Sequence, residues 1–249
     1  NGFSDFVDFF GDPFYRNILW VTLRVSLVST AISLVLGYPT AFYMARTKSR
    51  MKQVMMIVIL FPFLVSAVVR SYGWMVILGT NGLLNQLLQK LGIIALYNHL
   101  TGSNLEYFTM IDTQGAVVLG MVYNYLPFMI LPIYSVICKL DYSLLEAARD
   151  LGANTVTVFR KVILPLSLPG VLSGITMVFV PSVSTFAISR MLGGGTELLL
   201  GDLIERQFLG GAYNPQLGAA ISLVMMLIVV VCMLVMNRFG EGEEQAVML

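Results

Sequence analysis

Apolar residues run through this chain in five long blocks, each followed by a shorter and more polar connection. The blocks are Ile18 to Ala45, Val54 to Gly79, Gln114 to Cys138, Leu166 to Ser189 and Gln216 to Asn237. A hydrocarbon core about 30 Å thick needs about 20 apolar residues as a helix, and every block is long enough. Barrel strands run about 10 residues with strict apolar–polar alternation, and no such alternation is visible. The pattern therefore predicts an all-α, polytopic transmembrane helix bundle with five spans, organised as a single transmembrane domain over residues 1–249.

The connections assign the sides of the membrane. Segments 46–53, 139–165 and 238–249 carry nine Lys and Arg in 47 residues, among them Arg46, Lys48, Arg50, Lys52, Arg160 and Lys161. Segments 1–17, 80–113 and 190–215 carry four in 77 residues. Short cytoplasmic loops are the ones enriched in cations, so the first set is predicted inside and the chain starts outside. The opening NGFSDFVDFFGDP has no basic n-region, no cleavage site and no initiating Met, so it does not read as a signal peptide. A further, sixth transmembrane helix preceding Asn1 is the expectation that accounts for an outside start.

Two predicted outer segments are amphipathic and too short to span. One places Leu83, Leu84, Leu87, Leu88 and Leu91 on one helical face, and the other Leu199, Leu200, Leu203, Ile204 and Phe208. Helices of this kind lie at the interface or cap the bundle.

Composition then narrows the chemistry. Apolar residues make up 57% of the 249 positions, charged residues 12%, and the mean hydropathy is +0.81. A soluble domain carries roughly 25% charge, so water is the wrong solvent for this surface and the bilayer the right one. The net charge of +1 gives no nucleic-acid footprint. Cys138 and Cys232 lie in apolar runs and read as buried thiols rather than a disulfide or metal framework. The chain has no nucleotide-binding, protease or hydrolase motif, no catalytic residue and no metal cluster is predicted, and its single histidine, His99, falls in an outer loop. No carboxylate lies within the five blocks. Proton-coupled pumps bury acidic relays in their helices, so energy for uphill transport is expected from another subunit.

The predicted cytoplasmic segment 139–165 is the most informative stretch. Ser143 and Glu146 have the spacing of a capping box. The helix they open runs through Ala147, Ala148, Arg149 and Asp150 to Gly152, a suitable left-handed stop, followed by Ala153. Asn154 reads as the N-cap of a second short helix that ends before Pro165. The small pair Ala147–Ala148 permits close approach of another surface, rimmed by Glu146, Arg149 and Asp150.

The string EAARDLGA, with Leu164 and Pro165 twelve and thirteen residues after Gly152, resembles the EAA signature of ABC-importer permeases. The resemblance extends to LVLGYPTAFYMAR, VRSYGW, GMVYNYLPFMILPIYS and GGGTELLLGDLIERQF, which are similar to spermidine/putrescine permeases of the bacterial inner membrane. It implies a type I importer permease fold (MetI-like) of six helices, of which this sequence lacks the first. It further implies that segment 139–165 is a coupling loop docking on a cytoplasmic ATPase through Glu146, Ala147, Ala148, Arg149, Asp150, Gly152 and Ala153. The implied partners are a second, non-identical permease, two ATPase copies that bind ATP and Mg, and an extracytoplasmic solute-binding protein. No cofactor is implied in this chain itself. Permeases for iron, sulfate or thiamine share much of this pattern, and a stand-alone secondary transporter or channel is the alternative from another class.

Candidate pathway residues follow from polarity within the spans. Span four carries Thr176, Ser182 and Thr185, with Pro181 expected to free a carbonyl and kink the helix. Span three carries Tyr123, Asn124 and Phe128, and span two carries Arg70, Tyr72 and Trp74. Aromatic faces suit a polyamine cation, whereas Arg70 would repel one unless it is paired structurally. The carboxylates a cation needs are expected from the partner permease or from Asp112, Asp202 and Glu205 at the outer mouth.

Overall fold

A computed structural model describes residues 4–195, 198–211 and 213–247, and among these every regular element is helical. In chain order they are α1 (Ser4–Gly11), α2 (Pro13–Arg46), α3 (Ser49–Leu60), α4 (Ala67–Leu78), α5 (Leu83–Lys90) and α6 (Ile93–Thr101). There follow α7 (Gln114–Cys138), α8 (Tyr142–Asp150), α9 (Thr155–Val158), α10 (Leu164–Ser184), α11 (Ala187–Leu192), α12 (Leu200–Leu209) and α13 (Pro215–Val247). Four helical stretches are long and apolar enough to cross a membrane, and the pair Ser49–Leu64 and Ala67–Lys90, bent by 93° at the break between them, brings the number to five if it is one span. Asn1, before which a further helix was expected, and Thr196 and Glu197 of the outer motif lie outside the described residues.

Three predicted boundaries change. The second block is not one helix: a 3₁₀ turn at Phe61–Leu64 separates α3 from α4. Pro62 has no N–H to continue the ladder, and its carbonyl instead accepts from Val65 N at 3.2 Å and from Arg70 Nη1 at 3.0 Å. The Arg70 guanidinium also stands 4.5 Å from the Phe63 ring centroid, so Arg70 secures the break, the structural pairing that was the alternative to a place in the path. Pro165 does not stop the second loop helix. A π turn at Phe159–Ile163 joins α9 to α10, and its wider winding makes room for the proline ring. The helix then continues through Pro169 and Pro181 and leaves helical form after Ser184, short of the expected Ser189. His99 lies in the last turn of α6 rather than in a loop, and Cys138 is exposed rather than buried.

Packing divides the chain into two compact units. The first comprises Asn1–Ser29, Pro62–Asn124 and Val183–Met225. In it α12 buries Leu200 and Leu203, and its N-cap residue Leu199 is buried with them. Gly201 lets its backbone close on the chain just after α10, since a Cβ there would stand 2.5 Å from the Thr185 carbonyl oxygen. Thr22 of α2 accepts from Leu200 N at 2.9 Å. Asp202 accepts from Ser189 Oγ at 2.5 Å and from Leu199 N at 3.1 Å, holding α11 to the start of α12. Burial raises the Asp202 carboxyl above the ordinary range even though these donors, Arg190 and Arg206 all pull it down. Asn85 ties the outer segment by donating to the carbonyls of Gly79 and Phe108 and accepting from Phe108 N. The two outer helices thus differ: α12 buries its leucine face, whereas α5 leaves Leu83, Leu87 and Leu91 more than half exposed.

The second unit comprises Thr30–Phe61, Tyr125–Ser182 and Met226–Leu249. Its centre is Met129 of α7, fully buried among Ala41, Met44, Ile133 and Val178. Gly37 of α2 and Gly174 of α10 both face it: a Cβ at Gly37 would fall 2.9 Å from Met129 Cγ, and one at Gly174 2.8 Å from its sulfur. Gly170 brings α10 against the backbone of α7, where a Cβ would stand 2.9 Å from the Pro132 carbonyl and 3.1 Å from Ile133 Cα. Such small-residue contacts replace the hydrophobic drive that is absent between helices in lipid. Tyr38 and Ser167 add a hydroxyl contact at 2.8 Å between α2 and α10. A Gly170→Leu substitution must push α10 away from α7, at a cost of about 1–3 kcal/mol. The expected outcome is a lower thermal-unfolding midpoint in detergent, with Ser173→Leu on the exposed side of α10 as the control that leaves it unchanged.

Candidate coupling site and pathway residues

The short helix α8 stands between α7 and α10 and is built to end sharply at both sides. Its N-cap is Asp141, whose carboxylate accepts from Ser143 N at 2.9 Å. The expected capping box on Ser143 is therefore displaced by two residues: Asp141 already takes the extended cap conformation, and Ser143 lies inside the first turn. That hydrogen bond holds the Asp141 carboxyl below the usual carboxylate range. At the other end Gly152 has φ +82°, as expected. Gly152 N donates to Arg149 O at 2.8 Å and Ala153 N to Ala148 O at 3.1 Å, the paired bonds of a Schellman motif. Asn154 caps α9 as expected, accepting from Thr157 N at 2.8 Å.

The helix is anchored by one face. Leu145 is buried with Val158 and Ile163, and Ala148, Ala153 and Phe159 pack on this cluster. Ala147 is exposed, as are Glu146, Arg149 and Asp150. The alanine pair thus divides: Ala148 serves the inward packing and Ala147 the outward face. Sequence reading missed that face's other members. Leu144 is 49% exposed and Leu151, the C-cap, 89%, and Val156 of the following α9 is 64% exposed, so apolar surface gathers along α8 and the turn after it. The signal was present in the spacing of Leu144, Ala147 and Leu151 at i, i+3 and i+7, which places them on one helical stripe.

The pathway candidates gather only in part. Within the first unit Trp74 and Tyr123 meet edge to face, centroids 5.4 Å apart at 73°. Asn124, next to Tyr123, is 2% exposed; its Nδ2 donates to Gly120 O at 2.8 Å while its Oδ1 is buried without a hydrogen-bond partner. Tyr72 is exposed, and Thr185 sits in the break after α10. In the second unit Phe128 is partly exposed, but Thr176 and Ser182 turn their hydroxyls to the carbonyls of Leu172 and Val178 in their own helix. The polar stripe that sequence reading missed is in α2, where Thr22, Ser26, Ser29 and Ser33 are all fully buried. Two of the three outer carboxylates are already engaged: Asp202 is buried in its helix cap and Glu205 pairs with Arg190. Among the described residues no group of histidine, cysteine or acidic side chains has the arrangement of a metal site.

Residues 33–243 match the family described as the binding-protein-dependent transport system inner membrane component. The chain belongs to this family. It is therefore a multi-pass inner-membrane transport subunit, of a kind that works with a binding protein. The chain is 38% identical over 230 residues to the spermidine/putrescine transport system permease protein PotB of Haemophilus influenzae, covering 92% of this chain and 77% of that protein. The PotB protein of Escherichia coli is 37% identical over 227 residues, covering 91% and 78%. The inner membrane ABC transporter permease protein YdcU of E. coli is 31% identical over 234 residues, covering 93% and 74%. In fold it is similar to a chain of a bacterial ABC transporter that imports alginate (TM-score 0.78, 16% identity, covering 96% of this chain and 83% of that one). It is likewise similar to a chain of the MetNI methionine ABC transporter (TM-score 0.65, 18% identity, covering 91% and 94%). The expected all-α importer permease fold is thereby borne out.

The end of α8 depends on Gly152, because a β-branched residue at positive φ is an outlier. Gly152→Val is expected to weaken the Schellman turn by about 1–3 kcal/mol. Amide exchange over Leu145–Asp150 should then run roughly 5–150 times faster, while exchange in α12 stays unchanged.

Proposed function

We propose that this chain is the permease subunit of an ATP-driven importer of polyamines, and that α8 is the helix through which ATP hydrolysis is coupled to transport. The observation that carries the coupling role is the exposed Leu144–Ala147–Leu151 face, rimmed by Glu146, Arg149 and Asp150, on a helix locked at both ends. This face lies in the loop richest in signature residues, on the side that the cation count assigns to the cytoplasm. Leu145 ties the helix to Val158 and Ile163, so a push on α8 is delivered to α10 rather than absorbed locally. Two copies of a cytoplasmic ATPase bind ATP and Mg and supply that push. A second, non-identical permease completes the pathway, and an extracytoplasmic binding protein loads it. Alternation between inward and outward access is then a two-state movement biased by nucleotide.

The polyamine assignment rests on the similarity to the PotB proteins over more than nine-tenths of this chain. The chemistry of the candidate residues agrees with it. Trp74 and Tyr123 offer π faces to an alkylammonium, and Asn124 Oδ1 is an unused acceptor. Each cation–π contact is worth about 0.5–2 kcal/mol. With Asp202 and Glu205 engaged elsewhere, further negative charge for the cargo comes from Asp112 at the outer mouth or from the second permease.

The test is uptake of radiolabelled spermidine by proteoliposomes holding the whole complex, with binding-protein-stimulated ATP hydrolysis measured alongside. Wild-type vesicles are expected to accumulate spermidine only with ATP inside. Ala147→Trp should abolish both uptake and stimulated hydrolysis while spermidine binding to the separate binding protein is unchanged. Trp74→Leu should raise KM for uptake roughly 2- to 30-fold and leave stimulated hydrolysis in place. Normal coupling in Ala147→Trp overturns the coupling role of α8. Accumulation of sulfate, iron or thiamine in place of spermidine overturns the substrate.

A further inference from the structure

A cavity of about 300 Å³ opens within the second unit at the cation-rich end of the bundle, beside α8. Its walls divide by chemistry. Arg46 at the end of α2 and Lys52 in the first turns of α3 bring two positive charges, and among the residues whose side chains are described no acidic one lines it. Phe42, beneath the Arg46 guanidinium, and Ile137, Leu145 and Ile163 make the rest of the lining largely apolar.

Contacts with aromatic rings and a sulfur hold the two cations in place. The Arg46 guanidinium stands 4.3 Å from the Phe42 ring centroid, and Lys52 Nζ 5.7 Å from that of Tyr134 and 3.9 Å from Cys138 Sγ. Among the residues whose side chains are described, neither has a carboxylate within ion-pair distance. The acid closest to the cavity in sequence, Asp141, accepts with its carboxylate from Ser143 N. α3 starts at Ser49, between the lining residues Thr47 and Lys52, with no acidic residue in its first turn and no side-chain cap on its N–H groups. The positive end of that helix adds to the field of the two side chains.

We propose that this cavity binds the phosphate headgroup of an anionic phospholipid from the cytoplasmic leaflet. The headgroup sits between Arg46 and Lys52, and the start of an acyl chain lies along Phe42 and Ile137. Basic pockets between transmembrane helices on the cytoplasmic side suit such headgroups. A soluble phosphate offers the same charge but has nothing to place on the apolar wall, which is why the lipid is the occupant assigned. Because Leu145 and Ile163 belong both to this wall and to the anchor of α8, an occupied cavity stiffens the base of that helix.

The test uses this chain purified with its partner subunits and placed in nanodiscs of phosphatidylcholine with increasing phosphatidylglycerol. Native mass spectrometry counts the phosphatidylglycerol retained. R46Q/K52Q is expected to weaken retention roughly tenfold or more, since each interfacial cation contributes on the order of a few-fold in affinity. K48Q/R50Q removes the same charge from exposed positions outside the cavity and is expected to leave retention within about twofold. Cys138→Trp fills the cavity with both cations intact and should lose retention as R46Q/K52Q does, which covers the case of a poorly folding double variant. Millimolar inorganic phosphate should not displace the lipid. Unchanged retention in R46Q/K52Q and Cys138→Trp overturns the site. Equal loss in K48Q/R50Q reduces it to diffuse surface charge and also overturns it. Displacement by inorganic phosphate overturns the lipid assignment in favour of a soluble anion.

Discussion

The close approach of α2, α7 and α10 around Met129 is the contact on which the rest of the second unit depends. Lipid tails are as apolar as leucine, so helices in a bilayer gain little by burying apolar surface against one another. They gain by fitting. Gly37 and Gly174 leave only enough room for the Met129 side chain, and Gly170 lets the backbone of α10 rest on the Pro132 carbonyl. Interiors packed in this way transmit displacement and do not flow around it. The loop carrying α8 is strung between the two helices so locked, α7 and α10. Leu145 then docks α8 onto Val158 and Ile163, the segment that leads through the π turn into α10. A small helix on a rigid footing is what a coupling element requires.

Much of this was legible in the sequence, and the parts that were not share a cause. Block lengths found the spans, because crossing a membrane demands about 20 apolar residues whatever the neighbours. Gly152 and Asn154 were legible because a left-handed stop and an Asx cap are local chemistry. Asp141 was missed as the cap of α8 because Ser143 offers an equally good local pattern, and only the backbone path at Asp141 decides between them. Pro165 was misread as a stop because the π turn that accommodates it has no sequence signature of its own. Pro62 could have been noticed within an otherwise continuous apolar block, and with it the break that Arg70 secures.

Tertiary contacts decided the rest. Ala147 and Ala148 are the same residue type at adjacent positions, and what separates them is the cluster of Leu145, Val158 and Ile163 beneath one and not the other. Span four looked the most polar, yet its Thr176 and Ser182 hydroxyls bond within their own helix. The buried polar stripe is instead Thr22, Ser26, Ser29 and Ser33 of α2. Asp202 and Glu205 looked available for a cation, and both are spent on holding α11 and α12 together. Under the proposed function this shifts recognition of the cargo toward aromatic faces, Asn124, Asp112 and the second permease.

Site-directed cross-linking reaches the central claim most directly. In a variant with Cys138 and Cys232 replaced by serine, Ala147→Cys places the sole thiol on the outward face of α8. A bifunctional thiol reagent applied to inside-out membrane vesicles should join this chain to an ATPase subunit carrying a single engineered cysteine in its docking groove. The yield should change when ATP is added. Reaction of the thiol at position 147 with an impermeant reagent in intact right-side-out cells, or a cross-link yield indifferent to nucleotide, would contradict the account.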